Sequence, residues 1–429
     1  MTSDELTTVD LRLDDDEPET GSPKLALSSS VGEPVSMVSF AESSKLEISI
    51  KYYEKRGEGM NAYIVYKVVT KAENVLNFAN KEYEVWRRFS DFLGLHEKLM
   101  EKYFHKGIMV PPPPEKSLTA LTKTIMNHSG DEHITHDFAE RRSRALQRFC
   151  IRIARHPKLV SDNDFRDFLV VAAPLPKATS TAALSSASVK RMFKNFGEVF
   201  SKMAYHMDEN DRWFENAQQQ MEDMEQTLTK LLRAVEMIGS NRHELASGTE
   251  LFSKALSMLA SCEENTGLSR VLSHLTETQE KVSHWHVNQS ELDHALLIEV
   301  IQEQLSYLMV MKELFFERVK VWQNWQTAQQ NLSKKREQKA RYELARKMDR
   351  VAQMRDELTN AEQQVDDVER EFAEVSKVIR GEYERYLSER KADIHSMFVK
   401  YVEGLLETQK VLLQQWERFA PETKAVVTQ

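Results

Sequence analysis

Between Val351 and Ile379 the apolar residues fall at intervals that alternate strictly between three and four: Val351, Met354, Leu358, Ala361, Val365, Val368, Phe372, Val375 and Ile379. That spacing keeps one stripe on one side of a helix while polar residues fill the rest, which is a coiled-coil seam. A second seam passes through Trp213, Ala217, Met221, Met224, Leu228, Leu231, Val235 and Ile238. A third, less regular, passes through Ile298, Ile301, Leu305, Leu308, Phe315, Val319 and Trp322. Breaks near 263–267 and 347–349 divide residues 206–429 into three long helices. A helix of about 60 residues would be about 90 Å long. So extended an assembly leaves an apolar stripe bare, and the stripe asks for a partner.

The chain has 429 residues, more than a single core usually supports. Gly (13) and Pro (11) are scarce and 29% of residues are charged, which suits long helices with wet faces. The net charge of −9 would repel an anionic membrane, so any lipid contact must come from local basic patches. No run approaches the roughly 18 apolar residues of a membrane span. Residues Met1 to Asp16 are polar and acidic and lack the order of a secretory signal. Cys150 and Cys262 lie far apart and fit no zinc or redox spacing, as expected of reduced thiols in a cytosolic protein.

Ahead of the helical region the chain divides further. Residues 1–44, rich in Asp, Glu, Ser and Thr, cannot bury enough apolar surface to order and read as an acidic tail. Residues 45–171 read as a compact α+β domain. Leu46, Ile48, Ile50 and Tyr52 alternate with polar residues as a half-buried strand does, and Ala62–Val69 and Tyr83–Phe89 follow as the second and third strands of an antiparallel meander. A helix is expected from Ser90, with Ser90 and Asp91 as candidate caps and Phe92, Leu95, His96 and Leu99 as its face. Pro111–Pro114 must run extended, and a helix resumes near Asp137 and reaches about Arg155. Residues 172–187, small and hydroxyl-rich, read as a linker.

There is no Gly-rich phosphate loop, no His-Glu-x-x-His and no nucleophile elbow, so catalysis is not expected. His133 and His136 beside Asp131 and Glu132 read as surface histidines rather than metal ligands. Neither a metal, a cofactor nor a nucleic acid is expected. Arg87 and Arg88 end a strand just before a helix N-terminus, where guanidinium forks suit phosphate oxygens; the alternative is a charged edge strand. Arg142 interrupts the stripe of Phe138, Leu146, Phe149 and Ile153, where an apolar residue is expected. A cation there snorkels, pairs with a carboxylate or holds an anion.

Two further segments suit a membrane surface. In 188–205, Val189, Met192, Phe193, Phe196, Val199, Phe200 and Met203 form a wide apolar stripe, with Lys190, Arg191, Lys194 and Lys202 outside it. This is either an interfacial helix or one packed on its own protein. From Lys334 to Arg350 eight residues are basic (Lys334, Lys335, Arg336, Lys339, Arg341, Arg346, Lys347, Arg350) and three acidic. That cluster lies near a helix junction and is either a lipid contact or a solvated face.

Arg-Arg-Phe-Ser-Asp-Phe (87–92), the proline loop ending in Glu115-Lys116, and Phe-Ala-Glu-Arg-Arg-x-Arg-x-Leu-x-x-Phe (138–149) together resemble a PX (phox homology) domain in order and spacing. A PX domain ahead of long helices resembles the PX-BAR sorting nexins. Leu332–Glu337 and Trp416-Glu417-Arg418-Phe419 resemble the sorting nexin 1/2 type. The resemblance implies a PX domain, a three-stranded antiparallel sheet with a helical subdomain, followed by an all-α, three-helix BAR domain over 206–429. It implies that Arg88 holds the 3-phosphate of phosphatidylinositol 3-phosphate and that Phe89 packs under the inositol ring. Lys116 would reach the 1-phosphate and Arg142 the ring hydroxyls, while Arg87 is structural. It also implies an amphipathic helix at 188–205 that inserts through Met192, Phe193, Phe196, Val199, Phe200 and Met203.

The implied function is phosphoinositide-dependent curvature sensing and tubulation in endosomal cargo sorting and retrieval, peripheral on early endosomes. The implied partners are the retromer core trimer and sorting nexins of the 5/6 type. The residues leave open homodimer or heterodimer, and phosphatidylinositol 3-phosphate or 3,5-bisphosphate. The competing reading is a dimeric coiled-coil scaffold that binds protein partners without remodelling membranes.

Overall fold

A computed structural model describes residues 45–57, 63–75, 77–114, 132–173 and 211–424, with side chains in the 132–155 helix described from Phe138. Strands β1 (Lys45–Arg56), β2 (Tyr63–Glu73) and β3 (Glu82–Arg88) form one antiparallel sheet in the order β1-β2-β3, the expected meander. Ile48, Ile50, Val68 and Val85 face the core. The register slips between Ile50, opposite Val68, and Tyr52, opposite Lys67. The extra residue reverses the alternation beyond it. Tyr52, expected on the inner face, is therefore 65% exposed, and Tyr53 packs against the core instead.

Helix α1 (Phe89–Tyr103) begins one residue earlier than expected. Arg88 is its N-cap in extended backbone, and Asp91 reaches back to accept from the Arg88 N–H at 2.7 Å. Asp91 thus acts from the third helical position, as a capping box uses its acid, and Ser90 does not cap. Helices α2 (Glu132–Arg155) and α3 (Asn163–Val170) complete the subdomain. Asp162 caps α3 by accepting from the N–H groups of Asp164 and Phe165. Phe92, Leu99, Leu146, Ile153, Phe165 and Phe168 fill the space between sheet and helices.

The helical region comprises α4 (Arg212–Cys262), α5 (Thr266–Asp293), a π turn (His294–Ile298), α6 (Glu299–Leu344) and α7 (Met348–Lys424). Asp211 caps α4 and Asn265 caps α5. Both sequence breaks are real, and α5, the π turn and α6 run on as the second of three long helices. The one gap in the third seam, between Leu308 and Phe315, is filled by Met311, which is fully buried. Helix α7 has 77 residues and spans about 115 Å, longer than expected. In α4 the buried positions are fewer than the seam implied: Leu228, Val235, Ala246 and Leu256 are buried, but Leu231 and Ile238 are exposed.

The first domain and the helices share a core, because Phe104 and Met109 pack with Phe214, Leu314, Val375 and Ile379. Gly107 makes this approach possible. Its φ is +77°, and a Cβ there would lie 3.0 Å from Ile379 Cγ1 and 3.2 Å from the Val375 carbonyl. Beside it, Arg144 and Arg148 pair with Glu299, Arg148 and Arg152 with Glu303, and Arg152 with Glu389 and Asp393. Glu382 accepts from the Met109 N–H at 3.1 Å and contacts the buried His156 Nε2 at 3.1 Å.

Candidate anion-binding site

The turn from β3 into α1 and one face of α2 bring three predicted residues together. Because side chains alternate along β3, Arg87 and Arg88 point to opposite faces. Arg87 turns inward and is 1% exposed. It donates to the carbonyls of Phe168 (2.9 Å) and Val171 at the end of α3, groups a helix leaves unpartnered. It is structural, as expected. Arg88 turns outward, with its guanidinium carbon 3.6 Å from the centre of the Tyr63 ring.

Arg142 is the unusual group. It is 7% exposed, and its guanidinium carbon sits 4.4 Å from the centre of the Phe89 ring and 4.2 Å from that of Phe138. Among the described residues no carboxylate pairs with it. Burial lowers its pKa, and the neighbouring Tyr66 opposes that shift. The Tyr66 hydroxyl is also buried and is pushed up to about 12 by desolvation, with the Arg142 charge beside it opposing that shift. Of the three options open for a cation on this stripe, snorkelling is removed by its burial, and no described acid supplies the second. Two aromatic faces hold the charge in place without neutralising it. Such a site can accept an anion or a polyhydroxylated ring from the direction of Arg88.

Lys116 lies outside the described residues, as do Lys190, Arg191, Met192, Phe193, Lys194, Phe196, Val199, Phe200 and Met203 of the expected amphipathic helix. The side chains of His133 and His136 are likewise outside them. Of the expected basic surface, Lys334 is exposed, Lys335 pairs with Glu357 at 3.3 Å and Arg336 with Glu362 at 2.9 Å. Exposed pairs of this kind contribute little and leave both cations accessible.

Sequence reasoning missed two features. Tyr63 under Arg88 carried no signal beyond being an aromatic in a strand. The arginines at 144, 148 and 152 did carry one, since a spacing of four places them on one helix face.

The helical region also offers a surface. Leu231, Ile238, Leu245, Phe252 and Leu259 recur every seven residues along α4, and all are exposed. On α7, Val399, Val402, Leu406, Leu413 and Trp416 are exposed as well. No helix among the described residues is long and apolar enough to cross a membrane.

Residues 75–172 match the PX domain model, and residues 189–422 match a model described as Vps5 C terminal like. Mouse sorting nexin-1 is 43% identical over 381 residues, covering 89% of this chain and 72% of the relative. Human sorting nexin-1 matches to the same extent, and bovine sorting nexin-2 is 41% identical over 381 residues, 89% of this chain and 73% of that protein. The SNX-BAR Mvp1 tetramer, solved by cryo-EM, aligns with a TM-score of 0.60 at 17% identity, over 87% of this chain and 99% of that one.

Proposed function

As the chain belongs to the sorting nexins that join a PX domain to a Vps5-type, BAR-like helical region, we propose that it binds phosphoinositide membranes as a dimer and shapes them during endosomal cargo sorting. Family membership carries membrane binding, curvature, dimerisation and a non-enzymatic role. The finer reading rests on Arg142. A guanidinium taken almost wholly out of water, with no acid beside it among the described residues, costs several kcal/mol, and a bound anionic headgroup would offset that cost. Arg88 takes the 3-phosphate of phosphatidylinositol 3-phosphate, Phe89 supports the inositol ring and Arg142 bonds its hydroxyls. Lys116 and the helix at 188–205 belong to the same proposal, as do the domain limits 45–171 and 206–429. Phosphatidylinositol 3,5-bisphosphate fits the same chemistry.

The heptad-spaced stripe on α4 supports dimerisation, with a second copy or another PX-BAR sorting nexin as the partner. Two pockets and two basic surfaces then act together, and avidity exceeds single-site affinity by a factor of about 10²–10⁴. Likeness to sorting nexin-1 and sorting nexin-2 suggests early endosomal tubules as the place of action and the retromer core as a partner. Co-sedimentation with vesicles, with and without phosphatidylinositol 3-phosphate, tests the pocket in wild type and Arg88→Ala. Binding that depends on the lipid and disappears in the variant is expected. Equal binding of the two proteins would refute the pocket. Dimers with no lipid dependence would favour the protein-scaffold reading instead.

A further inference from the structure

The turn between α6 and α7 combines exposed apolar and exposed basic side chains in an unusual way. Leu344 ends α6 and is 86% exposed, more than any other large apolar side chain among the described residues. Met348 begins α7 and is 70% exposed. Between them the backbone closes tightly. Ala345 N–H donates to the Arg341 carbonyl, and Lys347 N–H to that of Tyr342, each at 3.1 Å. Arg346 adopts a φ of +53°, a region that favours glycine and costs other residues strain. The turn therefore holds Leu344 and Met348 outward.

Nothing else in the described chain reaches them. Helix α4 starts beside Arg318 and Arg380. Past that level α6 packs on α7 alone, through Ala328, Leu332, Leu358, Ala361 and Val365. The pair runs on for about 35 Å before the turn. Around the two apolar side chains, Arg341, Arg346, Lys347 and Arg350 are exposed and make no ion pair among the described residues; Glu343, which pairs with Lys339, and Asp349 are the acids exposed beside them, so the turn keeps a positive excess. Such an excess of exposed cations disfavours an apolar protein partner, which would have to desolvate them. It complements a surface that is anionic outside and apolar beneath, which is the interface of an acidic bilayer.

We propose that this turn is a membrane anchor: Leu344 and Met348 enter the acyl boundary of an anionic bilayer while Arg341, Arg346, Lys347 and Arg350 engage headgroup phosphates. The proposal rests on the membrane-binding reading above and adds a lipid contact independent of the PX pocket.

The test uses full-length protein carrying Cys262→Ser and Leu344→Cys, labelled at 344 with an environment-sensitive fluorophore; the remaining thiol, Cys150, is buried. On phosphatidylcholine–phosphatidylserine vesicles the emission shifts to the blue and is quenched by spin labels placed in the acyl chains. In a separate unlabelled protein, Leu344→Asp with Met348→Asp weakens binding to these phosphoinositide-free vesicles about tenfold or more. Melting is unchanged, because both side chains are exposed. A label that stays aqueous on protein sedimented by phosphatidylinositol 3-phosphate vesicles would overturn the anchor and leave the pocket reading intact. A blue shift without lipid quenching would also overturn it and assign the turn to contact with another copy of the chain. Protein that sediments with no vesicle at all would overturn both readings.

Discussion

The PX domain and the helical region leave opposite things unfinished. The PX domain buries its apolar residues well; among its described large hydrophobics only Tyr52 and Val171 are exposed. Yet it holds Arg142 buried with no acid beside it among the described residues. The helical region does the reverse. Its buried carboxylates are paired: Glu299 with Arg144 and Arg148, Glu317 with Lys320, Glu382 with Arg385 and Asp293 with Arg242. Its apolar stripes on α4 and α7, by contrast, lie open. An unpaired buried cation calls for an anion, and an open heptad stripe calls for another helix. The two regions thus await partners of different chemistry, a lipid headgroup and a second chain.

The comparison breaks most completely at the stripe. Leu245→Glu with Phe252→Glu places two charges where a partner helix should pack. The expected result is a monomer by analytical ultracentrifugation, with vesicle affinity reduced by a factor of about 10²–10⁴ as avidity is lost. A dimer that persists would place the interface elsewhere.

At the boundary between the regions, Glu382→Ala removes the acceptor of the Met109 N–H and the partner of His156 and Arg385. A loss of about 3–5 kcal/mol in denaturant unfolding is expected, together with faster proteolysis between the two regions. Loss of stability with no change in proteolysis would show that the apolar contacts at Gly107 suffice to hold them.

Arg142→Met sharpens the comparison from the other side. It keeps the volume and removes the unpaired charge. Lipid-dependent binding should fall by about 10- to 100-fold, while the lipid-free protein should melt higher, by about 1 kcal/mol. A destabilised variant would mean that stacking on Phe89 and Phe138 outweighs the cost of the buried charge.

The smallest effect is one of pH. Burial alone would raise the pKa of Glu299, but His294, Arg144 and Arg148 hold it down at about 2. A depressed carboxylate contributes stability that is present above its unfolded value, near 4.5, and is lost as pH falls through the folded one. The contact between α2 and α6 should therefore weaken between about pH 4.5 and 2, and mixing Glu299→Gln into the same titration should flatten that limb.

Much of this molecule was legible before its structure. The seam from Val351 to Ile379, the two helix breaks and the arginine on the apolar stripe of α2 are periodic or local signals, and each appears where expected. Tyr52 was not legible, because a bulge depends on the partner strand and not on the alternation itself. Nor was the exposure of Leu231 and Ile238, since a heptad shows that a face is apolar but not which neighbour covers it. The residues themselves determined that there are long amphipathic helices, a small sheet domain and a cation out of place. Tertiary structure alone decided that the PX domain shares a core with the helices, that Arg87 caps α3 while Arg142 lacks a described acid, and that Leu344 and Met348 stand exposed among the described residues. Those outcomes depend on distances between residues far apart in the chain, which no local pattern encodes.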